Sequence, residues 1–250
     1  MEALIALSAT PAERIPVQRE KICEAFYLGR VPYQQAEDLQ RELVARRKAG
    51  EITDVLLLLE HAPVITLGRN ARRENIVSSL ETLGREGIEI SETNRGGDVT
   101  YHGPGQIVGY PILDLAPIRK DVVWYVRTLE EILIRTAGDF GIAAGRIAGL
   151  TGVWVKGAKL ASIGIHVSRW VTSHGFAMNL KTDLECFRHI VPCGIPACAV
   201  TSFRELLRHP PDRAQVEERI VEHTGKLLGL EMRPGRRATL ERREPCRLMS

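Results

Sequence analysis

The sequence lacks the features of a membrane-spanning or nucleic-acid-binding chain. Its 250 residues contain no run approaching the roughly 18 consecutive apolar side chains that a membrane-crossing helix needs. Aromatic residues make up only 5% of the chain, and the formal charge at pH 7 is +3. A basic surplus this small does not indicate a nucleic-acid partner.

Cysteine is scarce as well. The five residues, Cys23, Cys186, Cys193, Cys198 and Cys246, are odd in number and show no spacing typical of a disulfide framework. The N-terminus carries Glu2 and has no basic segment followed by an apolar block, so we expect no secretory signal. These features predict a cytoplasmic protein whose cysteines remain thiols.

The rest of the composition is that of an ordinary globular protein, 44% hydrophobic and 26% charged. A chain of this length buries a core without needing disulfides or metal. The sequence shows no repeat, no low-complexity tract and no long linker. We therefore expect a single domain over residues 1–250, with residues 1–15 and 231–250 as peripheral extensions.

Hydrophobic periodicity predicts helices over Tyr33–Lys48, Val122–Phe140 and Ala214–Leu228. Strand-like runs follow no regular strand–helix alternation and cover Asp54–Glu60, Val64–Leu67, Ile88–Glu92, Asp98–His102, Gln106–Leu113, Val153–Val155, Leu160–Val167 and Gly175–Leu180. This order predicts an α+β fold, a mixed or largely antiparallel sheet with flanking helices.

The densest group of reactive side chains lies in the segment 95–106, RGGDVTYHGPGQ. Two glycines after Arg95, Gly96 and Gly97, allow a ligand to approach the backbone closely. Strand alternation then places Asp98, Thr100 and His102 on one face and Val99 and Tyr101 on the other. Glycine-rich segments are also routine turns, but a turn does not explain why so many polar types gather here. The segment predicts a binding site.

A second candidate is Lys159, at the start of an apolar run. Only seven lysines occur against 27 arginines, and Lys156 and Lys159 are two of them. Such a lysine is commonly a surface terminus, whereas a buried one serves as a base or an electrostatic partner. Small residues follow on two strands (Ser162 with Gly164, Gly175 with Ala177). They leave either a slot for a thin ligand or room for close packing.

The third candidate is Cys193, which lies between proline and glycine in the segment 190–195, IVPCGI. A thiol on such a turn is accessible and therefore a possible nucleophile, although a lone cysteine is more often a small buried apolar residue. Cys186, His189, Cys193 and Cys198 also allow a zinc-stabilised binding module, but their spacings differ from those of common zinc sites.

Arginines form two clusters, one of Arg69, Arg72 and Arg73 and one of Arg233, Arg236, Arg237, Arg242, Arg243 and Arg247. Each cluster is either a solvated basic surface or a patch that attracts an acidic partner.

Together these segments resemble the lipoyl (octanoyl) transferases, which move an octanoyl chain from acyl carrier protein to lipoate-dependent enzymes. The resemblance rests on residues 60–69 (EHAPVITLGR), 95–106, 151–155 (TGVWV), 159–167, 173–180 and 191–194 (VPCG), in the order and spacing of that family. It covers about residues 30–230. The family usually has a second proline where this chain has Ala62, a departure that falls in a turn.

The resemblance implies the fold of the lipoate- and biotin-protein ligase catalytic domains. It implies that Cys193 carries the acyl group as a thioester and that Lys159 activates it. The residues it assigns to the substrate pocket are Arg95, Gly96, Gly97, Asp98, Val99, Thr100, Tyr101, His102, Ser162, Ile163, Gly164, Gly175, Phe176 and Ala177. It implies no metal and no cofactor.

The partners implied are octanoyl-acyl carrier protein as donor, with lipoyl domains of 2-oxoacid dehydrogenases and the glycine cleavage H protein as acceptors. We expect a monomer that binds neither nucleic acid nor membrane. The main alternative is an ATP-dependent lipoate or biotin protein ligase on the same fold, which needs a nucleotide subsite and no obligate cysteine. Pairing of Cys193 with Lys159 distinguishes the transferase from the ligase.

Overall fold

The computed structural model describes residues 21–194 and 198–241, and only the backbone of Cys193. Its strands are β1 (Ile22–Arg30), β2 (Asp54–Glu60), β3 (Val64–Leu67), β4 (Glu89–Glu92), β5 (Val99–His102), β6 (Gln106–Ile112), β7 (Gly145–Ile147), β8 (Leu150–Val155), β9 (Ala158–Ser168), β10 (Val171–Asn179) and β11 (Glu231–Pro234). Its helices are α1 (Tyr33–Lys48), α2 (Leu80–Arg85), α3 (Val122–Asp139), α4 (Phe203–Leu206), α5 (Arg213–Leu228) and α6 (Arg237–Leu240). Short 3-10 turns cover Arg73–Asn75, Leu184–His189 and Pro192–Gly194.

The strands form two sheets. The large sheet has the order β11-β1-β2-β6-β10-β9-β8-β7, and the small sheet has the order β4-β3-β5. In the large sheet β1 runs parallel to β2 and β11, whereas the pairs from β2 to β7 are antiparallel. The predicted mixed sheet with flanking helices is therefore confirmed. No helix in the described ranges is long and apolar enough to cross a membrane.

Helices cover the large sheet on both faces. In β2, Leu56 and Leu58 pack in one apolar cluster with residues of α3 and α5, while Leu57 and Leu59 pack in a second with residues of α1. A strand covered on both sides must be apolar at every position. This explains why residues 55–59 of β2 (VLLLL) are an unbroken apolar run rather than an alternating pattern.

The small sheet has its own apolar cluster, which brings the glycine-rich and cysteine-containing segments together. Val99 and Tyr101 of β5 pack there against Phe187 and Ile190, which lead into the Pro192–Gly194 turn. The Val191 N–H donates to the carbonyl of Asn75 at 2.7 Å. The small sheet thus supports the Arg95–Gly97 loop and the cysteine turn on one scaffold.

The three predicted helices are present within one residue at each end, and residues 231–241 of the predicted C-terminal extension form regular structure at the edge of the large sheet. These residues form β11, which pairs in parallel with β1, and then α6. Residues 1–15 and 242–250 lie outside the described residues, including the tail arginines Arg242, Arg243 and Arg247. The strands β1, β7 and β11 were missed because they are short or lie near sheet edges, where apolar periodicity is weak.

A buried carboxylate, Glu24 of β1, holds the C-terminal segment. It is 2% exposed and accepts hydrogen bonds from the backbone N–H of Arg236 (3.1 Å), the Arg236 Nε (2.8 Å) and the Thr239 hydroxyl (2.7 Å). Burial alone would raise the pKa of Glu24, but the hydrogen bonds from Thr239 and Arg236 outweigh it and lower that pKa. The charged carboxylate therefore stabilises the docked segment.

Thr239→Val removes one donor to this buried carboxylate while keeping the shape of the side chain. We expect a loss of about 1–3 kcal/mol in the free energy of unfolding, measured by urea denaturation. Arg237→Ala, at an exposed position of the same helix, should change it by less than about 0.5 kcal/mol. Equal stability of Thr239→Val and the wild type would show that Glu24 does not hold the segment.

Candidate active site

A cavity of about 260 Å³ lies where β9 and β10 of the large sheet face the Arg95–Gly97 loop and β5 of the small sheet. Most of the residues that the sequence predicts for the site line it: Arg95, Gly97, Asp98, Thr100, His102, Lys159, Ser162, Ile163, Gly164, Gly175, Phe176 and Ala177. Val99 and Tyr101 instead pack in the apolar cluster of the small sheet. Gly96 is held by the hydrogen bond from its N–H to the carbonyl of Ile165 (2.8 Å).

Sequence reasoning missed several lining residues: Tyr33, Val108, Tyr110, Gly149, Leu150, Thr151 and His174. Tyr33 opens α1, and Gly149 and Leu150 come just before the 151–155 segment, so none of the three lies in a segment that the sequence singles out. His174 immediately precedes the predicted Gly175 and adopts a positive φ of 54°, which is rare for a residue with a side chain. His174 and Thr151 lie within the segments of family resemblance, and that was the available signal.

Arg95 stabilises the walls of the cavity. The residue is only 8% exposed, and its Nη2 donates to the Thr66 carbonyl (2.7 Å) and the Thr66 hydroxyl (2.8 Å). Its Nη1 donates to the carbonyl of Gly96 at 3.1 Å. The guanidinium thus ties the glycine loop to β3 of the small sheet.

Gly164 and Gly175, which the sequence predicts as the floor of a slot, are required by close packing. A Cβ at Gly164 would lie 2.7 Å from the Gly96 carbonyl oxygen, and one at Gly175 would lie 2.6 Å from Cδ of Pro111. Real side chains do not tolerate such approaches. The packing alternative therefore accounts for both glycines, although both also line the cavity.

Three histidines in or beside the cavity are held neutral. Burial lowers the pKa of His61 to about 4 and, with the nearby Arg95 charge, that of His174 to about 3. Burial, His61 and Arg95 lower the pKa of His102 to about 3. The His61 Nδ1–H donates to the Val31 carbonyl (2.7 Å) and its Nε2 accepts from the Tyr110 hydroxyl (2.8 Å). Desolvation, together with the Arg95 charge for His102 and His174, therefore disfavours protonation of these three rings.

The two lysines of the second motif differ sharply. Lys159 is 3% exposed and lines the cavity, with its Nζ 4.7 Å from the centre of the Trp154 ring, a cation–π distance. A Cβ at Gly152 would lie 3.4 Å from Cε of Lys159 and 2.7 Å from the Ala161 carbonyl oxygen. The close approach of the Ala161 carbonyl and the positive φ of 130° therefore require glycine at this position, beside the lysine. Lys156 is exposed in the turn between β8 and β9.

The turn that carries Cys193 packs closely against Asp98 of the cavity wall. The Gly194 N–H donates to the carbonyl of Val191 (3.0 Å), and any side chain at Gly194 would collide with the Asp98 carboxylate. Asp98 in turn accepts from Asn75 Nδ2 (2.7 Å) and from the backbone N–H of Arg72 (3.1 Å). Asp98 thus positions the cysteine turn as well as lining the cavity.

On the C-terminal side, the chain after this turn pairs with Lys159 itself. The Lys159 N–H donates to the Ala199 carbonyl (2.8 Å), and the Thr201 N–H donates to the Lys159 carbonyl (3.0 Å). Cys193 therefore lies between Val191, which bonds to Asn75, and Gly194, which packs against Asp98, and residues 199–201 farther along the chain pair with Lys159.

The zinc alternative receives no support from His189. Its Nδ1 is 2.8 Å from the Ser78 hydroxyl and its Nε2 is 2.9 Å from Glu86 Oε2, so both ring nitrogens are engaged. Among the described residues no group of histidine, cysteine and acidic side chains could hold a metal ion. Cys23 and Cys186 are free thiols.

The first arginine cluster is only partly neutralised. Arg73 pairs with Glu92 at 2.5 Å, whereas the exposed Arg69 and Arg72 make no ion pair within the part of the chain that the structure describes. Both lie beside the glycine loop, since the Arg69 N–H donates to the Arg95 carbonyl and the Arg72 N–H donates to Asp98. In the second cluster, Arg233, Arg236 and Arg237 each pair with a glutamate.

The fold is that of the lipoate and biotin protein ligases. A solved chain from the lipoylation system of Thermoplasma acidophilum, described as a bi-partite lipoate protein ligase and its E2 lipoyl domain, superposes with a TM-score of 0.69 at 16% identity, over 86% of this chain and 87% of that one. The biotin protein ligase of Aquifex aeolicus gives a TM-score of 0.50 at 12% identity, over 83% and 69%. At these identities the similarity concerns the fold alone.

Sequence comparison identifies the family. The model of the lipoyl protein ligase A/B catalytic domain matches residues 32–225, and the chain belongs to this family. An octanoyltransferase of Solibacter usitatus is 55% identical over 214 residues, covering 85% of this chain and 96% of the relative. One of Koribacter versatilis is 57% identical over 189 residues, covering 74% of this chain and 75% of the relative.

Gly164→Ala tests whether this glycine serves packing. The added Cβ pushes the Gly96 carbonyl away, so we expect a loss of about 1–3 kcal/mol in unfolding free energy together with impaired activity. Gly138→Ala, at an exposed position of α3 with open space around it, should instead be neutral or stabilising by up to about 1 kcal/mol. A fully stable Gly164→Ala that loses only activity would restore the slot interpretation.

The neutral histidines predict a stability loss in mild acid. Unfolded histidine titrates near pH 6.5, whereas His61, His102 and His174 stay neutral in the fold, so the unfolded state binds more protons below that pH. Each contributes a loss of up to about 1.4 kcal/mol per pH unit between about pH 6 and pH 4. Urea denaturation at pH 7 to pH 5 should show this fall in the free energy of unfolding with decreasing pH. The fall should be smaller in His61→Gln and unchanged in His209→Gln, where the histidine is exposed. The same pH dependence of the unfolding free energy in His61→Gln and the wild type would contradict this prediction.

Proposed function

We propose that this protein transfers an octanoyl group from octanoyl-acyl carrier protein to a lysine of lipoyl domains, with Cys193 as the acyl carrier and Lys159 as its activating partner. The octanoyltransferase activity, part of lipoate biosynthesis, follows from relatives that share about half of its residues. The observation that carries the residue assignment is Lys159, buried in the cavity and hydrogen-bonded through its backbone to the segment following the cysteine turn.

The energetics favour a route without nucleotide. Forming an amide from a carboxylate and a lysine requires activation, whereas a thioester is already activated and reacts with an amine downhill. A cysteine can therefore accept the acyl chain and pass it on without ATP. The apolar part of the cavity wall, which includes Val108, Leu150, Ile163 and Ala177, is suited to an aliphatic chain.

In the first step the Cys193 thiolate attacks the donor thioester carbonyl. The new carbon–sulfur bond to Cys193 forms, the bond to the carrier's sulfur breaks, and the carrier leaves as a thiol after taking up one proton. In the second step the acceptor amine attacks the Cys193 thioester, the amide bond forms, the Cys193 thiol is released and the amine gives up a proton. Lys159 holds or transfers these protons, and as an ammonium it favours the thiolate.

The ATP-dependent ligase remains the alternative on the same fold. Relatives with about half of their residues identical are octanoyltransferases, while the similar ligase structures share only 12–16% of residues. Octanoate with ATP should therefore leave a lipoyl domain unmodified, whereas octanoyl-acyl carrier protein alone should modify it.

The further assignments belong to the same proposal. The acceptors are lipoyl domains of 2-oxoacid dehydrogenases and the glycine cleavage H protein, and the enzyme acts in the cytoplasm as a monomer built from one catalytic domain. The exposed Arg69 and Arg72 beside the glycine loop are suited to attract an acidic donor or acceptor.

The Cys193 assignment is tested by intact mass after incubation with octanoyl-acyl carrier protein. We expect one octanoyl adduct that hydroxylamine removes and that prior thiol alkylation prevents. Cys193→Ser should lose the adduct and the transfer to a lipoyl domain, whereas Cys186→Ser and Cys198→Ser should retain substantial activity. Full transfer by Cys193→Ser would refute the thioester route.

The role of Lys159 is tested by the alkylation rate of Cys193 as a function of pH. Lys159→Ala should move the rate profile to higher pH and slow transfer at neutral pH, because the ammonium no longer favours the thiolate. Lys156→Ala is the matched control and should behave like the wild type. Lys159→Arg keeps the charge but cannot give up a proton. If Cys193 of this variant is alkylated as fast as in the wild type but octanoyl transfer is lost, Lys159 also transfers a proton. Identical profiles for the wild type and Lys159→Ala would exclude the pairing.

A further inference from the structure

A chain of buried polar side chains connects the glycine loop to the segment that pairs with Lys159. Arg95 donates to the Thr66 hydroxyl, which lies 3.4 Å from His102 Nε2. His102 Nδ1 is 2.8 Å from Gln106 Oε1, and Gln106 Nε2 donates to Asn179 Oδ1 at 2.9 Å. Asn179 Nδ2 donates to the Thr201 carbonyl at 3.0 Å. Every residue of this chain is buried.

The direction of these hydrogen bonds is fixed from both ends. A guanidinium only donates, so the Thr66 hydroxyl accepts from Arg95 and its single hydrogen is left for His102 Nε2. His102 then carries its hydrogen on Nδ1 and donates to the oxygen of Gln106. The low pKa of His102, about 3, agrees with a neutral ring at this position.

At the other end the Thr201 carbonyl only accepts, so Asn179 must present its amide nitrogen there and its oxygen to Gln106. Gln106 Nε2 also donates to the Tyr101 carbonyl (3.3 Å), which requires the same orientation of that amide. The two ends therefore impose one direction on both amides. Reversing either amide would bring two oxygens into contact in a buried place, where no water replaces the lost partner.

The last link reaches the catalytic machinery of the proposed function. The Thr201 N–H donates to the Lys159 carbonyl, and the Lys159 N–H donates to the Ala199 carbonyl. Asn179 holds the opposite side of Thr201, so it fixes residues 199–201 against Lys159. Neither Gln106 nor Asn179 is among the residues that line the cavity.

We propose that Gln106 and Asn179 are positioning residues whose amides, oriented through His102 by Arg95, hold residues 199–201 and thereby set the register of Lys159 relative to the Cys193 turn. The inference rests on the proposed function for its effect on transfer, but not for its effect on the structure around Lys159. Both ring nitrogens of His102 are hydrogen-bonded, so the ring transmits the orientation of the Thr66 hydroxyl to the Gln106 amide.

Gln106→Glu is the sharpest test, because it acts on Thr201 from a distance. One carboxylate oxygen still accepts from His102, while the other faces Asn179 Oδ1 and forces that amide to turn. Asn179 then presents its oxygen to the Thr201 carbonyl and the bond is lost. We expect amide hydrogen exchange at Lys159 and Thr201 to accelerate at least tenfold, and kcat to fall at least tenfold with KM for the donor within threefold.

The effect of Gln106→Glu should also depend on pH. A protonated glutamic acid donates to Asn179 Oδ1 as the native amide does, and burial favours that neutral form. The loss of kcat relative to the wild type at the same pH should therefore become smaller as the pH is lowered from 8 to 6. A purely space-filling role for Gln106 would give a deficit that does not change with pH. Gln35→Glu, the same change at an exposed position of α1, is the control.

Asn179→Ala removes the bond to Thr201 while leaving His102 and Gln106 in place, and it should accelerate exchange at the same two amides. Wild-type exchange at Lys159 and Thr201 in either variant, or a pH-independent deficit in Gln106→Glu, would overturn the inference. Exchange is read without substrate. A wild-type enzyme that failed to transfer octanoyl groups would therefore refute the proposed function and leave this test intact.

Discussion

The pairing of Lys159 with residues 199–201 is the constraint on which the rest of the site depends. Two backbone hydrogen bonds join a strand of the large sheet to the chain that has just left the cysteine turn. The turn itself is fixed to the small sheet through Asn75 and Asp98. The cysteine turn and Lys159 are thus held on one framework although both sheets contribute to the site. The precision that such chemistry requires comes from rigid elements rather than from loops.

The electrostatics of the cavity follow from burial. Arg95 brings positive charge into a site where three histidines are kept neutral by desolvation and, for His102 and His174, by neighbouring charge. Arg95 donates hydrogen bonds to Thr66 and Gly96, and the Trp154 ring lies against the Lys159 amino group. The fold therefore places Arg95 and Lys159 in the cavity, and the neutral histidines contribute hydrogen bonds to it.

The sequence predicts the chemistry of this protein better than its geometry. Gly96, Gly97, Lys159 and Cys193 stand out because their residue types are unusual where they occur, and the strand pattern correctly separates the polar face of β5 from Val99 and Tyr101. The long helices are equally clear, because their apolar periodicity extends over several turns.

What the sequence could not supply depends on tertiary contacts. From the sequence, Gly164 fits either a ligand slot or close packing, and only the tertiary contact with the Gly96 carbonyl shows the packing. Residues 231–241 read as a basic tail because no local pattern shows that Glu24 is buried two hundred residues away and needs partners. Tyr33 and His174 line the cavity where α1 packs on the large sheet, a tertiary contact in which the His174 N–H donates to Gln40 of α1.

The central claim is that an acyl group on Cys193 is a competent intermediate. The most direct measurement is a chase of isolated octanoyl-enzyme, freed of carrier protein and nucleotide, with an excess of lipoyl domain. Loss of the octanoyl mass from the enzyme and its appearance on one lysine of the domain, at a rate no slower than steady-state turnover, is the expected result. An acyl-enzyme that persists or hydrolyses without modifying the domain would contradict the account.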